Sequence, residues 1–281
     1  MQIGIFSKTF ARPTLADVLD AVAAHGLQHV QFNLDCAGLD PMPDVIDDAT
    51  CDVIRQALAA RGIQMAAISG TFNMIHPDLS QRQLGLQRLR VLAAACKRLD
   101  TQVITLCTGT RDPVSMWRRH PDNDSAEAWQ EMLASMQVAA TIAAEFNVTL
   151  GFEPEVSNVV DSARKGRRLL DTIQSPHLKV VMDGANVFHA GELPRMRAVL
   201  DETFELLGND IVLAHAKDLS QDGEAGHDAA GTGLLDYEHY LALLQSVGYT
   251  GPLILHSLSE AQVDDSVAFL RGKLAGLPAS A

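Results

Sequence analysis

Apolar residues in this chain fall into two alternating patterns. Short runs of five to seven residues are almost wholly apolar, as in QVITLCT or LKVVMD. Between them lie longer stretches in which apolar positions recur every three or four residues, the spacing of an amphipathic helix. The runs predict strands at 3–7, 29–34, 64–69, 102–108, 149–153, 178–183, 211–216 and 252–257. The stretches predict helices at 14–25, 47–61, 80–99, 124–146, 162–174, 194–207, 236–247 and 260–275. Runs that are apolar throughout belong in strands covered on both faces. Strict alternation of strand and helix implies a parallel sheet with right-handed crossovers.

Local punctuation agrees. Thr14 with Asp17 makes a capping-box-like helix start. Gly26 and Gly62 follow helices, where a left-handed cap is needed. The connection helix, glycine, strand recurs at 22–32, 58–68 and 243–255. Eight such units close into a (β/α)8 TIM barrel over 1–275, with 276–281 as a flexible tail. An open doubly wound sheet would carry a glycine-rich loop after its first strand, and SKTFARPT is not one. The loop 218–233 is rich in glycine (Gly223, Gly226, Gly231, Gly233) and reads either as a lid over the site or as a loose surface segment.

Composition narrows the function. With 281 residues, 47% of them hydrophobic, the chain can bury a large core. Its formal charge of −13 disfavours nucleic acid. Arg164, Lys165, Arg167 and Arg168 cluster, but they read as the solvated face of one helix. Cys36, Cys51, Cys96 and Cys107 show no metal or redox spacing, and Cys96 and Cys107 read as buried thiols. No secretory leader and no apolar run of membrane length is apparent, so the expectation is a cytoplasmic protein without membrane contact.

Candidate chemistry sits at the strand ends, where barrels of this type place their sites. TLGFE closes on Glu153, LKVVMD on Asp183, IVLAH on His215 and PLILH on His256. Two carboxylates and two imidazoles at successive strand ends suit one divalent cation. The alternatives are a salt bridge from Glu153 to Lys217 or Arg111, a helix cap for Asp183, a core imidazole for His215 and a supporting role for His256. Mixed nitrogen and oxygen ligation suits manganese, zinc, cobalt or iron better than calcium, and magnesium less well; manganese is the expectation carried forward. Such a cation would grip adjacent oxygens of a hydroxy-carbonyl compound and stabilise an enediolate. Glu153, Glu155, Lys217 and His256 are the candidates to move the proton.

These residues carry a resemblance. The segments 76–112 (HPDLSQRQLG through CTGTRD), TLGFEPEVSNVV, VVMDGANVF, HAKD and GTGLLDYEHYLALLQSVGYTGPLIL resemble the sugar phosphate isomerase/epimerase family of the xylose isomerase-like TIM barrel superfamily. The resemblance covers nearly the whole chain. It implies a metal held by Glu153, Asp183 and His215, with a glutamate from the eighth strand as fourth ligand. Here that place holds His256, which puts a symmetric two-glutamate epimerisation in doubt. His76 resembles a substrate-contacting position, and Arg111, Asn186 and His189 join it as candidate substrate-binding residues. Asn186 stands where a nuclease relative has histidine, which argues against DNA cleavage.

The expectation is therefore a metal-dependent isomerase or epimerase of a small sugar, keto-sugar or polyol derivative. A lyase on the same scaffold is the alternative, and a non-catalytic sugar-binding subunit the third reading. The partner is a small carbohydrate, and relatives lead one to expect a homo-oligomer. No phosphate-binding glycine loop is present, so a phosphorylated substrate is not implied.

Overall fold

Eight parallel strands close on themselves in chain order in the computed structural model, which describes residues 1–277. The strands are β1 (Ile3–Phe6), β2 (His29–Phe32), β3 (Gln64–Ser69), β4 (Val103–Cys107), β5 (Thr149–Glu153), β6 (Leu178–Asp183), β7 (Ile211–Ala216) and β8 (Leu253–Leu255). The helices are α1 (Leu15–Ala24), α2 (Asp48–Ala59), α3 (Leu79–Leu99), α4 (Ala126–Phe146), α5 (Ala163–Ile173), α6 (Met196–Leu207), α7 (Tyr237–Ser246) and α8 (Val263–Ala275). The expected (β/α)8 TIM barrel is therefore present, with its helices outside the strands. Closure is direct: Ile3, Gly4 and Ile5 pair with Leu253, Ile254 and Leu255. The expected tail 276–281 falls mostly outside the described residues.

Capping side chains set the helix starts. Thr14, Asp47, Ser125, Ser162 and Asp236 each accept a backbone N–H from the first turn of the helix they precede. The recurrent glycines after α1, α2 and α7 have φ of +68°, +64° and +73° at Gly26, Gly62 and Gly248, the left-handed geometry an L side chain resists. The basic residues of α5 lie outward, as expected. Arg164 pairs with Glu202, Lys165 with Asp124 and Asp161, and Arg167 with Asp171 and Asp210, while Arg168 lies over the Trp129 ring.

Apolar packing divides in two. A large cluster fills the space between strands and helices, and a smaller one joins Ala67, Val181, Leu213 and Ile254 from β3, β6, β7 and β8. Among the described residues no helix is long and apolar enough to cross a membrane.

The loop after β7 is pinned rather than loose. Asp218, fully buried, accepts the backbone N–H groups of Leu219, Gly231 and Leu235 at 3.0, 3.1 and 2.8 Å. A backbone bridge joins Asp218 to Asp228, and the Gly226 N–H reaches the Ala185 carbonyl at 3.1 Å. Two of its glycines serve close approach instead of mobility. A Cβ on Gly226 would lie 2.5 Å from the Asp218 carbonyl oxygen, and one on Gly233 would lie 2.5 Å from Asp218 Oδ1.

Candidate metal centre and active site

The C-terminal ends of the strands open into a cavity of about 940 Å³. Its wall includes Gln31, Ser69, Thr105, Glu153, Glu155, Asn186, Lys217 and His256. The loop after β7 contributes Gly223, Glu224, Ala225 and His227, and the loop after β4 contributes Met116 and Trp117.

Asp183, His215 and His256 form a cluster whose ligand-type atoms all lie within 4.8 Å of one another. Asp183 ends β6 and pairs in register with His215 of β7, so both project from adjacent positions of the barrel rim. His256 stands one residue beyond β8, with Nε2 2.9 Å from Asp183 Oδ2 and Nδ1 3.3 Å from the Ser257 hydroxyl. His215 Nδ1 lies 3.5 Å from Glu153 Oε2 and 3.6 Å from Asp183 Oδ2. That Nδ1 is completely buried and makes no hydrogen bond. The ring nitrogen faces two carboxylates at ion-pair distance without a hydrogen bond to either, which leaves a buried polar gap between them. A cation would fill it.

Charge is balanced around this gap. Lys217, itself buried, places Nζ 3.4 Å from Asp183 Oδ2. Burial opposes ionisation of Asp183, but Lys217, His215 and His256 outweigh it and hold the carboxyl well below its ordinary range. Burial likewise works against the charged form of His215, yet Glu153 and Asp183 raise the imidazolium to about 9. Glu153 is also pushed up by burial and pulled below the usual value chiefly by His215. Among the described residues Glu155 forms no ion pair, and only the more distant charge of Lys217 opposes its protonation. Burial and the neighbouring Glu153 charge raise it to about 8, so it holds a proton at neutral pH. Burial and Lys217 lower His256 to about 4, which leaves that ring neutral.

The sequence-predicted residues divide cleanly. Glu153, Glu155, Asp183, Asn186, His215, Lys217 and His256 come together at one face. Asn186 Nδ2 donates to Glu153 Oε1, and its Oδ1 accepts the Gly226 N–H at 3.2 Å. His76, Arg111 and His189 are not brought to the cavity wall. His76 Nδ1 accepts the Asp78 N–H at 3.1 Å, and its Nε2 lies 3.3 Å from the Pro113 carbonyl. Arg111 turns to Glu131 of α4 at 2.6 Å, where Arg82 also binds. The His189 ring is 41% exposed and lies 4.0 Å from Asp161. Asn123 accepts the Arg111 N–H at 2.8 Å and so fixes the loop that carries Arg111.

Sequence reasoning passed over several residues that build the site. Gln31, in the middle of β2, accepts from His215 Nε2 at 2.9 Å and donates to Ser69 and Thr105 at 3.0 Å each. Tyr240 of α7 lies 3.0 Å from the carbonyl oxygens of both Met182 and His215, tying the ends of β6 and β7 together. Tyr237 donates to the Lys217 carbonyl at 2.9 Å. The signal for Gln31 was an amide between Val30 and Phe32 inside an apolar strand, a place where a polar group requires buried partners.

The sequence matches the xylose isomerase-like TIM barrel family over residues 19–273. No curated protein sequence matches the chain. Among solved structures, a D-tagatose 3-epimerase-like protein superposes with a TM-score of 0.76 at 14% identity, over 98% of this chain and 97% of its own. The IOLI protein with a bound zinc atom gives 0.72 at 15% identity, over 98% and 97%. The probable 3-DHS dehydratase AsbF from Bacillus anthracis gives 0.72 at 14% identity, over 96% and 99%. At such identities the likeness is one of fold.

Proposed function

The chain belongs to the xylose isomerase-like TIM barrel family, and from that premise we propose that it is a divalent-metal-dependent isomerase or epimerase of a small keto-sugar or polyol derivative. The orphaned Nδ1 of His215, facing two carboxylates, carries the reading. Asp183, His215 and His256 are the residues that would hold the metal, with Glu153 beside them. Two imidazoles with carboxylates suit manganese, zinc, cobalt or iron. Manganese remains the first expectation, and the zinc atom of the IOLI protein makes zinc the metal to compare with it. When bound, the ion supplies Lewis-acid polarisation of a carbonyl.

The chain's own residues supply the proton chemistry. Glu153 is ionised and is steadied by Asn186, so it is the base; Glu155 is protonated and is the acid. Burial raises Glu155 toward working pH, which favours rapid proton exchange. Both carboxyls leave the end of β5, so proton removal and return share one wall of the cavity. A shared wall suits a proton shift between neighbouring carbons better than inversion through two opposed bases. Lys217 keeps Asp183 ionised and closes the polar floor.

A second reading, a lyase, draws on the same observation. A protonated Glu155 would donate to a departing hydroxyl, and the neutral His256 stands where a second carboxylate base is expected. The test is metal analysis of the purified protein followed by incubation with a keto-sugar panel in deuterated water. Metal-dependent deuterium uptake without loss of water supports the isomerase, and uptake with loss of water supports the lyase. Absence of both metal and exchange would sink the enzymatic reading in favour of a sugar-binding protein.

A further inference from the structure

We propose that Gln31 is the positioning residue that commits His215 to present Nδ1, rather than Nε2, to the metal, an inference resting on the metal reading above. Neutral imidazole has one N–H and one lone pair, and the partner of the distal nitrogen decides which nitrogen keeps the proton. Gln31 Oε1 lies 2.9 Å from His215 Nε2. Its Nε2 sits 3.0 Å from both the Ser69 and Thr105 hydroxyls, and Asn33 Nδ2 adds a second amide to Ser69 Oγ at 3.1 Å. In this arrangement the amide oxygen faces the ring and the nitrogen faces β3 and β4. His215 then keeps its Nε2 proton, and the lone pair faces the gap between Glu153 and Asp183.

The opposite amide orientation would bring an N–H donor against Nε2. It would leave the ring proton on Nδ1, directed into the cation position. Gln31 is almost completely buried, although its side chain borders the cavity. Ser257, 3.3 Å from His256 Nδ1, offers the second imidazole a comparable acceptor, from an exposed position.

The test compares Gln31→Met, similar in length but without an acceptor, with Gln31→Glu, which keeps one. Zinc affinity is measured by chelator competition. The methionine variant is expected to lose about 10–100-fold in affinity, while the glutamate variant stays within a few-fold of the unaltered protein. Equal losses in both variants, or none in Gln31→Met, would overturn the proposal and leave Gln31 a packing residue. Nitrogen-15 spectra of the histidines read the tautomer directly in metal-free protein, above the pH at which the ring loses its proton. The Nε2–H form is expected in the unaltered protein and a mixture in Gln31→Met; an Nδ1–H form in the unaltered protein refutes the assignment. This arm decides the role of Gln31 even where zinc fails to bind, an outcome that would overturn the metal reading alone.

Discussion

His256 Nε2 lies 2.9 Å from Asp183 Oδ2, so the eighth strand delivers a nitrogen donor to the cluster where the family resemblance implies an oxygen. His256→Glu is expected to favour manganese and magnesium over zinc, because it replaces imidazole with carboxylate. His256→Ala should weaken zinc binding by at least about tenfold. Competition between metals, read by calorimetry, checks both; unchanged affinity in the alanine variant would remove His256 from the ligand set.

Metal binding should depend steeply on pH. In the metal-free protein, carboxylates hold a proton on His215 up to about 9, despite its burial. A metal at Nδ1 must displace that proton, so apparent affinity is expected to rise about tenfold per pH unit below that value and then level off. Affinity independent of pH over this range would show that His215 is not a ligand.

Stability of the metal-free protein should move in the opposite direction. The raised His215 contributes stability that is fully present below the ordinary histidine value of about 6.5 and is lost as pH climbs through its folded-state value of about 9. Glu155 acts in the same sense: its raised carboxyl contributes below the usual glutamate range and loses that contribution through about 8. Thermal midpoints without metal should therefore fall as pH rises from neutral to alkaline, and added metal should flatten the decline. A midpoint that rises over the same interval would contradict both assignments.

Arg111 is expected to matter for stability and not for substrate. It shares Glu131 with Arg82 on the outer side of the barrel rim, at 2.6 and 2.9 Å. Arg111→Ala should cost roughly 1 kcal/mol in urea denaturation, a partly exposed pair being screened by solvent. The Michaelis constant for any substrate found should stay within about twofold, a change of under 1 kcal/mol. A tenfold rise would restore Arg111 to the binding site.

Asp218 offers a test of the loop after β7. Asp218→Ala leaves three backbone N–H groups without their acceptor, at a cost of about 3 kcal/mol. Limited proteolysis should then open the segment between Leu219 and Leu235, which its hydrogen bonds now hold. Resistance equal to that of the unaltered protein would mean that the other backbone contacts suffice.

Much of this molecule was legible before its shape was known, for reasons that differ by residue. Glu153, Asp183 and His215 stood out because each closes an apolar strand, and parallel strands bring such ends to one rim. His256 was the weakest of the four, readable as a ligand or as a supporting imidazole, and it lies just past β8. The places of His76 and Arg111 were not legible, because loop side chains answer to distant partners: Pro113 in one case, Glu131 in the other. Glycine-rich composition suggested a mobile loop after β7, where close packing around Asp218 was the physical requirement. Gln31 was legible only as an amide inside an apolar strand, because its partner His215 is 184 positions away.

That separation has a consequence for assembly. All four ligand-type residues lie at or just past the ends of the last four strands, while the amide beside His215 comes from β2. In the closed barrel, with β1 paired to β8, Gln31 faces His215 across the interior. A folding intermediate built from the second half alone would hold the ligands without their orientation. Tight metal capture would then mark completion of the cylinder, distinguishing finished molecules from half-assembled ones.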